Sequence, residues 1–561
     1  MAGKLEYHRQ FLSYKRLNLG PWSAFERDLA RLLEHGGFKD VEVVGGSGDQ
    51  GADVVATKGK QRWVVQAKYR KPGVKIRQDA LIEVFKAKEK YEADVCVVAT
   101  NQYFSKEAEE LKIKKENFGH KIHFWNRDKL LKLCDGIDLK SKNLRKPRCY
   151  QKKAIQNIYD EIENGGNKGL LTLATGLGKT IIATSIINRY LEDNPNSNIL
   201  VLAHMRDLVR QLEKASWSQF DKNIVTHLWT DREKPAFLEG VIFATWQSIS
   251  SALNNGALAP KQFDLIIVDE CHHAPSKEYS GLLNKLNPNF LLGVTATPWR
   301  DDKKSIKEIF GKPLYSMNVV QGMKKGYLAE VDYLMLTDDI DWDDIYNRSI
   351  NGYTIKDLNQ RLYVPERDLS MVEEIVNTIK VTNNAKVLVF CRSITHATRL
   401  RSYFKKFDFP ASLLHSDLDR TERFKALSNF RMGTVSILIS IEMLNEGIDV
   451  PAVNIVTFAR VTHSRRIFLQ QLGRGLRISD DKDKVKVLDF VADIRRIAEG
   501  LEMNSEASKI REEESVFYSK GEIIKFSSDV TSFFDQYLDD IGDISNLDDT
   551  KKLEFPPSRS H

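Results

Sequence analysis

The chain has 561 residues, enough for about three or four domains, because a single hydrophobic core rarely grows beyond about 250–300 residues. Hydrophobic residues make up 42% and charged residues 29%, which is typical of a globular protein and excludes a low-complexity or fibrous chain. The net charge of +7 is modest for this length, so charge alone does not indicate nucleic-acid binding.

The sequence shows no sign of secretion or of membrane insertion. Its five cysteines are scattered, without the paired spacing of a zinc site or a disulfide framework, which indicates a reducing compartment. The N-terminal run MAGKLEYHRQ is charged and lacks the apolar core of a signal peptide. No stretch approaches the roughly 18 apolar residues of a membrane-spanning helix. We therefore expect a cytoplasmic protein.

Residues 1–135 predict a small α/β domain, and residues 136–150 a linker. Apolar residues recur at helical spacing in PWSAFERDLARLLEHGGF, and its two glycines supply a stop signal. Further along, short apolar runs alternate with a helical pattern. Strands are predicted at 41–44, 52–56, 62–68, 94–100 and 121–125, and a helix at 79–91.

Three polar residues of this domain are predicted to converge. Asp53 begins a strand after a glycine-rich turn, and the next strand ends with Gln66 and Lys68. Because side chains alternate along a strand, Gln66 and Lys68 share a face, and a neighbouring strand would bring Asp53 beside them. A carboxylate and an amide oxygen can bind Mg²⁺, while an ammonium can orient the attacking water and offset the charge of the phosphate. This pattern predicts a site that cuts phosphodiesters with the help of a metal.

Over residues 20–135 the runs GGSGDQGADVV, VVQAKYR and VCVVATNQYFSKEA resemble the Mrr-type restriction endonuclease domain of the PD-(D/E)xK superfamily. The resemblance implies that Asp53 and Gln66 bind the metal and that Lys68 is catalytic. Glu26 matches the acidic residue on the first helix of this family. Gln66 stands where other branches of the superfamily carry a carboxylate, which removes one negative ligand.

Several alternatives stay open for this domain. Ser23 and Glu26 also fit a capping box, which would give Glu26 only a helix-ending role. The basic run from Lys58 to Arg77 is either a solvated sheet edge or a surface that faces DNA. The whole domain is either an active nuclease or a module that only binds DNA.

A second constellation begins at LLTLATGLGKTIIA, which predicts strand, phosphate-binding loop and helix in that order. Glycines in the loop allow backbone N–H groups to approach phosphates, Lys179 contacts the terminal phosphates, and the Thr180 hydroxyl binds Mg²⁺. Downstream, DLIIVDECHH predicts an apolar strand that ends in carboxylates. Asp269 would hold Mg²⁺ there, and Glu270 would polarise the attacking water.

These segments, with others that follow in the expected order, resemble helicase superfamily 2 over residues 145–495. The nearest groups are type I restriction motor subunits and XPB-like repair helicases. The resemblance implies contacts to nucleic acid from 201–211 and 244–249, coupling through Thr295 and Thr297, and closure of two domains over the nucleotide. It assigns nucleotide binding to Gln151, Thr175, Gly176, Gly178, Lys179, Thr180, Asp269, Asp449 and Gln470, and catalysis to Glu270, Arg474 and Arg477.

The predicted fold class is α/β, with a restriction-endonuclease-like N-terminal domain followed by two tandem RecA-like helicase domains and a helical C-terminal extension. The helicase domains cover 151–330 and 366–495, with an insertion at 331–365 and a helical, acidic extension at 496–561. The implied function is an ATP- and Mg²⁺-dependent DNA helicase or translocase coupled to a DNA endonuclease, in restriction or anti-phage defence. Its expected partners are single- or double-stranded DNA and a further subunit of a defence system. The alternatives are a repair or remodelling helicase and an RNA substrate.

Overall fold

The computed structural model describes residues 10–45, 51–296, 306–336, 367–391, 393–441, 453–459, 484–490 and 522–526. The chain divides into two compact units. The first comprises Met1–Leu173 and Gly178–Ser316, and the second comprises Ala174–Leu177 and Met317–His561. Both are built from sheets and helices in alternation, so the α/β class is confirmed. No helix within the described ranges is long and apolar enough to cross a membrane.

The N-terminal part of the first unit contains a five-stranded sheet. Its elements are α1 (Tyr14–Leu19), α2 (Trp22–His35), β1 (Lys39–Val43), β2 (Val54–Lys58), β3 (Gln61–Lys68), α3 (Asp79–Tyr91), β4 (Val95–Thr100), α4 (Lys106–Asn117), β5 (Lys121–Trp125) and α5 (Arg127–Gly136). The strand order follows the chain, with antiparallel pairing from β1 to β3 and parallel pairing from β3 to β5. Phe25 and Leu29 of α2 pack on Val65 and Val97 in the core.

The predicted helix at 79–91 is confirmed with the same bounds, and the predicted strands are confirmed within two residues at each end. Helices α1, α4 and α5 were not predicted. Each begins after a polar side chain that accepts a hydrogen bond from the first turn: Ser13 from Arg16 N, Ser105 from Ala108 N, and Asn126 from Lys129 N. These short caps specify helices whose apolar periodicity is too weak to detect.

The rest of the first unit is a seven-stranded sheet of order β12-β6-β11-β10-β7-β9-β8. Its elements are α6 (Cys149–Glu163), β6 (Lys168–Leu173), α7 (Lys179–Asp193), β7 (Asn198–Ala203), α8 (Arg206–Trp217), β8 (Thr226–Trp229), β9 (Gly240–Thr245), α9 (Trp246–Asn254), β10 (Leu265–Asp269), α10 (Lys277–Leu286), β11 (Phe290–Thr295), α11 (Ile306–Phe310) and β12 (Pro313–Met317). The strands from β6 to β8 in this order pair in parallel. Their carboxyl ends therefore share one edge, where α/β proteins bind ligands.

The second unit contains another seven-stranded sheet, of order β15-β16-β14-β17-β18-β13-β19. Its elements are α12 (Val319–Lys324), β13 (Glu330–Leu336), α13 (Arg367–Lys380), β14 (Val387–Phe390), α14 (Ile394–Lys406), β15 (Ala411–Leu414), α15 (Arg420–Met432), β16 (Ile437–Ser440), β17 (Ile455–Phe458), β18 (Lys484–Phe490) and β19 (Glu522–Phe526). All described pairs are parallel except β13 with β19.

Two strands of this sheet lie where the sequence predicted other structure. β13 occupies the start of the predicted insertion at 331–365, because its apolar run pairs in register with β18. β19 lies within the extension predicted to be helical and pairs with β13. The domain boundaries themselves stay predictions.

Candidate nuclease and nucleotide sites

Asp53, Gln66 and Lys68 lie together at one end of the antiparallel β2–β3 pair. Asp53 N–H donates to the Val65 carbonyl at 2.9 Å, which fixes the residue immediately before β2. The Asp53 carboxylate in turn accepts a hydrogen bond from Ala67 N–H at 2.6 Å. Gln66 and Lys68 on either side of Ala67 both donate to one carboxylate of α3, so they share a face of β3. The structure thus brings the three predicted residues to one place.

Glu26 faces the same place from α2. A Cβ added to Gly45 would lie 2.8 Å from Glu26 Oε2 and 3.1 Å from Asp53 Oδ1, so the two carboxylates converge where glycine leaves room. The capping-box alternative is wrong, because α2 begins after Pro21 and Ser23 already lies inside the helix. The Ser23 hydroxyl donates to a distant glutamate instead of a helix end.

The α3 carboxylate at this site belongs to Glu83, which was not predicted from the sequence. Its Oε2 accepts from both Gln66 Nε2 and Lys68 Nζ. Gly51, two residues before Asp53, packs on the same residue, since a Cβ there would lie 2.8 Å from the Glu83 carbonyl oxygen. The only signal in the sequence is an acidic residue on the helix that follows the Gln66–Lys68 strand.

The residues present fit a divalent cation. Gln66 is 1% exposed, and its Oε1 has no hydrogen-bond partner among the described residues. A buried amide oxygen without a partner costs free energy that a cation would recover. Within the described ranges, no group of three or more His, Cys, Asp or Glu side chains is arranged to hold a metal. A metal at this site would therefore depend on the Gln66 amide together with the carboxylates.

The basic run divides between two ends of the domain. Arg70, Lys71 and Lys75 are exposed in the loop that directly follows Lys68. Lys58 lies at the opposite end of the β2–β3 hairpin, where it pairs with Gln61. Only the first group is placed beside the candidate site.

In the nucleotide site, Lys179 begins α7 and its ammonium lies 2.8 Å from Glu270 Oε1. Burial disfavours the Lys179 cation, but the Glu270 and Asp269 carboxylates outweigh burial and raise the pKa of Lys179 above its usual value. Asp269 is the last residue of β10, and Thr180 follows Lys179 on α7. Lys179 and Thr180 therefore lie at the start of α7, and Asp269 and Glu270 lie at and directly after the end of β10. The Lys179–Glu270 contact brings these two ends together.

The loop before α7 depends on glycine. Gly176 has φ 90° and Gly178 has φ 81°, in the left-handed region that side chains disfavour. A Cβ on Gly178 would lie 2.5 Å from Gln151 Nε2. Gln151 is buried near the start of α6, where its Oε1 accepts from Arg148 N–H at 2.8 Å. Gln151, which is predicted to bind nucleotide, thus lies against the phosphate loop.

A buried histidine links two of the predicted motor segments. His272 Nδ1 lies 3.3 Å from Glu270 Oε2 and 3.1 Å from Thr295 Oγ1. Thr295 ends β11, so one imidazole connects the Glu270 carboxylate to the neighbouring strand. The predicted sites at Thr297, Asp449, Gln470, Arg474 and Arg477 lie outside the described residues.

A charged interface that was not predicted from the sequence joins the N-terminal sheet and the first motor sheet, which belong to one unit. Arg27 of α2 makes ion pairs with Glu213 of α8 at 2.8 Å and with Glu233 at 2.6 Å. Burial opposes the Arg27 cation, but these carboxylates outweigh it and raise the pKa of Arg27. Arg16 pairs with Asp28 at 2.8 Å and contacts the motor part through further hydrogen bonds.

Apolar packing and the predicted linker continue this interface. Trp217 of α8 is 2% exposed and packs in the hydrophobic core of the N-terminal domain. Lys222 Nζ donates to the carbonyls of Cys134, Asp135 and Ile137, at 2.9–3.3 Å. The start of the segment predicted as a linker is therefore held against the motor part.

Three family descriptions match consecutive parts of the chain. Residues 19–134 match a restriction endonuclease family, residues 144–300 match the res subunit of type III restriction enzymes, and residues 369–479 match the helicase conserved C-terminal domain. The chain therefore matches a restriction endonuclease domain followed by helicase domains. Nucleases and helicases of these families generally use a divalent metal and ATP.

Relatives identify the groups more narrowly and confirm the predicted resemblance. The chain is 28% identical over 376 residues to the type I restriction enzyme EcoAI endonuclease subunit of Escherichia coli, which covers 62% of this chain and 46% of that protein. It is 25% identical over 370 residues to the DNA 3'-5' translocase XPB2 of Sulfurisphaera tokodaii, which covers 59% of this chain and 79% of that protein. The chain thus spans less than half of the Escherichia coli subunit.

Among solved structures, the ATP-dependent type ISP restriction-modification enzyme LlaBIII bound to DNA shares the fold. The TM-score is 0.52 at 17% identity, and the match covers 94% of this chain and 42% of that one. At this identity the likeness supports the fold alone.

Proposed function

We propose that the chain is an ATP-driven DNA translocase that delivers DNA to a Mg²⁺-dependent endonuclease, and that it acts in restriction of foreign DNA. The observation that carries the proposal is the convergence of Asp53, Glu26, Gln66 and Lys68 in a domain docked on the motor sheet that bears the Lys179 site. Kinship with a type I restriction subunit supports the restriction role.

At the nuclease site, Asp53 and Gln66 would hold the metal through a carboxylate and an amide oxygen, with Glu26 close enough to assist. The bound cation would supply Lewis-acid stabilisation of the scissile phosphate and lower the pKa of a bound water. Lys68 would orient the attacking water and offset phosphate charge. The exposed loop with Arg70, Lys71 and Lys75 would contact the flanking backbone of DNA.

At the motor site, Lys179 would bind the terminal phosphates of ATP, which compete with Glu270 for the same ammonium. Glu270 would then be available to orient the attacking water, while Thr180 and Asp269 hold Mg²⁺. His272 would couple the position of Glu270 to that of Thr295, since its ring contacts both side chains. Arg474 and Arg477, which are predicted to be catalytic, would act as arginine fingers on the terminal phosphate.

A plasmid-nicking assay in Mg²⁺ or Mn²⁺ tests the nuclease. We expect Asp53→Asn and Lys68→Ala to lower the rate at least about 100-fold, as loss of a group that stabilises developing charge does. Lys60→Ala is the matched control, because Lys60 is exposed at the far end of the hairpin. Equal nicking by all four proteins would mean that the domain only binds DNA, as in a repair or remodelling helicase.

ATP hydrolysis tests the motor. We expect DNA to stimulate hydrolysis and Lys179→Ala to abolish it, and DNA to outcompete RNA of matched sequence. A rate of ATP hydrolysis that does not change when DNA is added would refute the motor half of the proposal. Full cleavage by Lys179→Ala would mean that the motor delivers DNA without licensing the cut. Sequencing the products from modified, unmodified and branched DNA would separate restriction from repair.

A further inference from the structure

Gln66 poses a problem that its neighbours solve. An amide presents a donor on one side and an acceptor on the other, and the two orientations differ little in shape. A metal ligand needs the oxygen facing the cation. Something must therefore fix the rotation of the Gln66 amide.

Glu83 is placed to do this. A carboxylate only accepts hydrogen bonds, so the Gln66 group bonded to Glu83 Oε2 must be the NH₂. The Gln66 oxygen then points away from Glu83, and it is the atom that has no partner within the described part of the chain. The same Glu83 oxygen accepts from Lys68, so one carboxylate sets both side chains.

The position of Glu83 is itself fixed from the metal side. Gly51 packs on its backbone, with φ 91° and no room for a side chain. Gly51 belongs to the loop that leads into Asp53. The loop that carries one candidate ligand therefore abuts the residue that orients the other, although Glu83 keeps 41% of its side chain exposed.

We infer that Glu83 is the positioning residue of the nuclease site, which aims the Gln66 amide oxygen at the metal and restores the negative charge that glutamine lacks. The inference rests on the proposed nuclease function. Partners that orient a metal ligand typically contribute 10–100-fold to metal affinity.

The inference is tested by titrating the full chain with Mn²⁺ in the absence of nucleotide and measuring the heat of binding by calorimetry. Asp53→Asn defines which binding belongs to the nuclease site. We expect Glu83→Gln to weaken that binding about 10–100-fold and to leave the melting temperature near that of the wild type, since Glu83 is partly exposed. Glu89→Gln, on the exposed side of the same helix, is the matched control and should bind as the wild type does.

A double-mutant cycle shows whether Glu83 acts through Gln66. In a Gln66→Ala background, Glu83→Gln should produce little further loss of affinity. An equal loss of affinity in both backgrounds would overturn the inference. So would unchanged Mn²⁺ binding by Glu83→Gln when the separate Asp53→Asn variant no longer binds Mn²⁺. Both results would leave the nuclease proposal standing. Identical binding by wild type and Asp53→Asn would overturn both.

Discussion

Arg27→Met is the sharpest test of how the nuclease domain is attached. Arg27 is 9% exposed and pairs with two carboxylates of the motor part. Methionine keeps much of the side-chain volume but removes the charge, so Glu213 and Glu233 remain buried without their cation. Breaking a buried pair in this way costs about 3–5 kcal/mol, because the desolvated charges lose their compensation.

This loss of stability is measured by urea unfolding, with tryptophan fluorescence as the readout. The midpoint and the slope of the transition are compared separately, because a multidomain chain need not unfold in two states. Lys106→Met removes the exposed Lys106–Glu110 pair and should cost less than about 1 kcal/mol. The Arg27→Met, Glu213→Gln, Glu233→Gln triple variant should recover part of the loss, since no buried charge is left uncompensated.

Two results would refute this reasoning. A loss from Arg27→Met no larger than that from Lys106→Met would mean that the interface charges are solvated. A triple variant less stable than Arg27→Met would mean that the carboxylates stabilise the fold without the arginine. Limited proteolysis gives an independent readout, because an undocked nuclease domain should release a fragment of about its own size.

Three further changes test other parts of the structure. Trp217→Ala should destabilise the chain by about 3–5 kcal/mol, seen as a lower urea midpoint, because a motor-side tryptophan completes the nuclease core. Burial, with help from a nearby arginine, lowers the pKa of His35 from 6.5 to about 4. The folded state then binds fewer protons, so this histidine's contribution is present above pH 6.5 and lost on acidification, by about 2 kcal/mol at pH 5; His35→Asn should flatten the melting temperature over that range. Gly178→Ala should weaken ATP binding by displacing Gln151, whereas Gly256→Ala, at φ 72° with open space around it, should carry only the backbone strain and leave ATP binding unchanged.

Local patterns predicted the elements and the core of the sites. The strand of Gln66 and Lys68 alternates as a strand must, and the phosphate loop lies between a strand and a helix, so both could be placed from residues close in sequence. The buried arginines of helix α2 could not be predicted in this way. Its Arg27 and Arg31 have the spacing of a solvated helix face, yet they are buried. Their partners lie about 190–210 residues away in the chain, and no local pattern predicts such a pairing.

Glu83 was missed although it lies only 15 residues from Lys68 and 17 residues from Gln66 in the chain. Nothing in a 13-residue helix marks one glutamate above another. Only the fold, by laying α3 against β3, makes Glu83 the acceptor for both Gln66 and Lys68. The Gln66–Lys68 motif alone therefore understates the negative charge close to the candidate metal site.

Helix α8 connects the first motor sheet to the N-terminal domain. It begins at Arg206, within the segment 201–211 predicted to touch nucleic acid, and ends at Trp217 in the nuclease core. Its 12 residues span about 18 Å at 1.5 Å per residue. Because Arg27 of α2 also pairs with Glu213 of α8 and with Glu233, we expect the N-terminal domain to be held at this interface. DNA moved by the motor should therefore reach Asp53 at a fixed offset from the motor's contacts, and Arg27→Met should broaden the spacing of cuts relative to a stalled motor while leaving ATP hydrolysis intact.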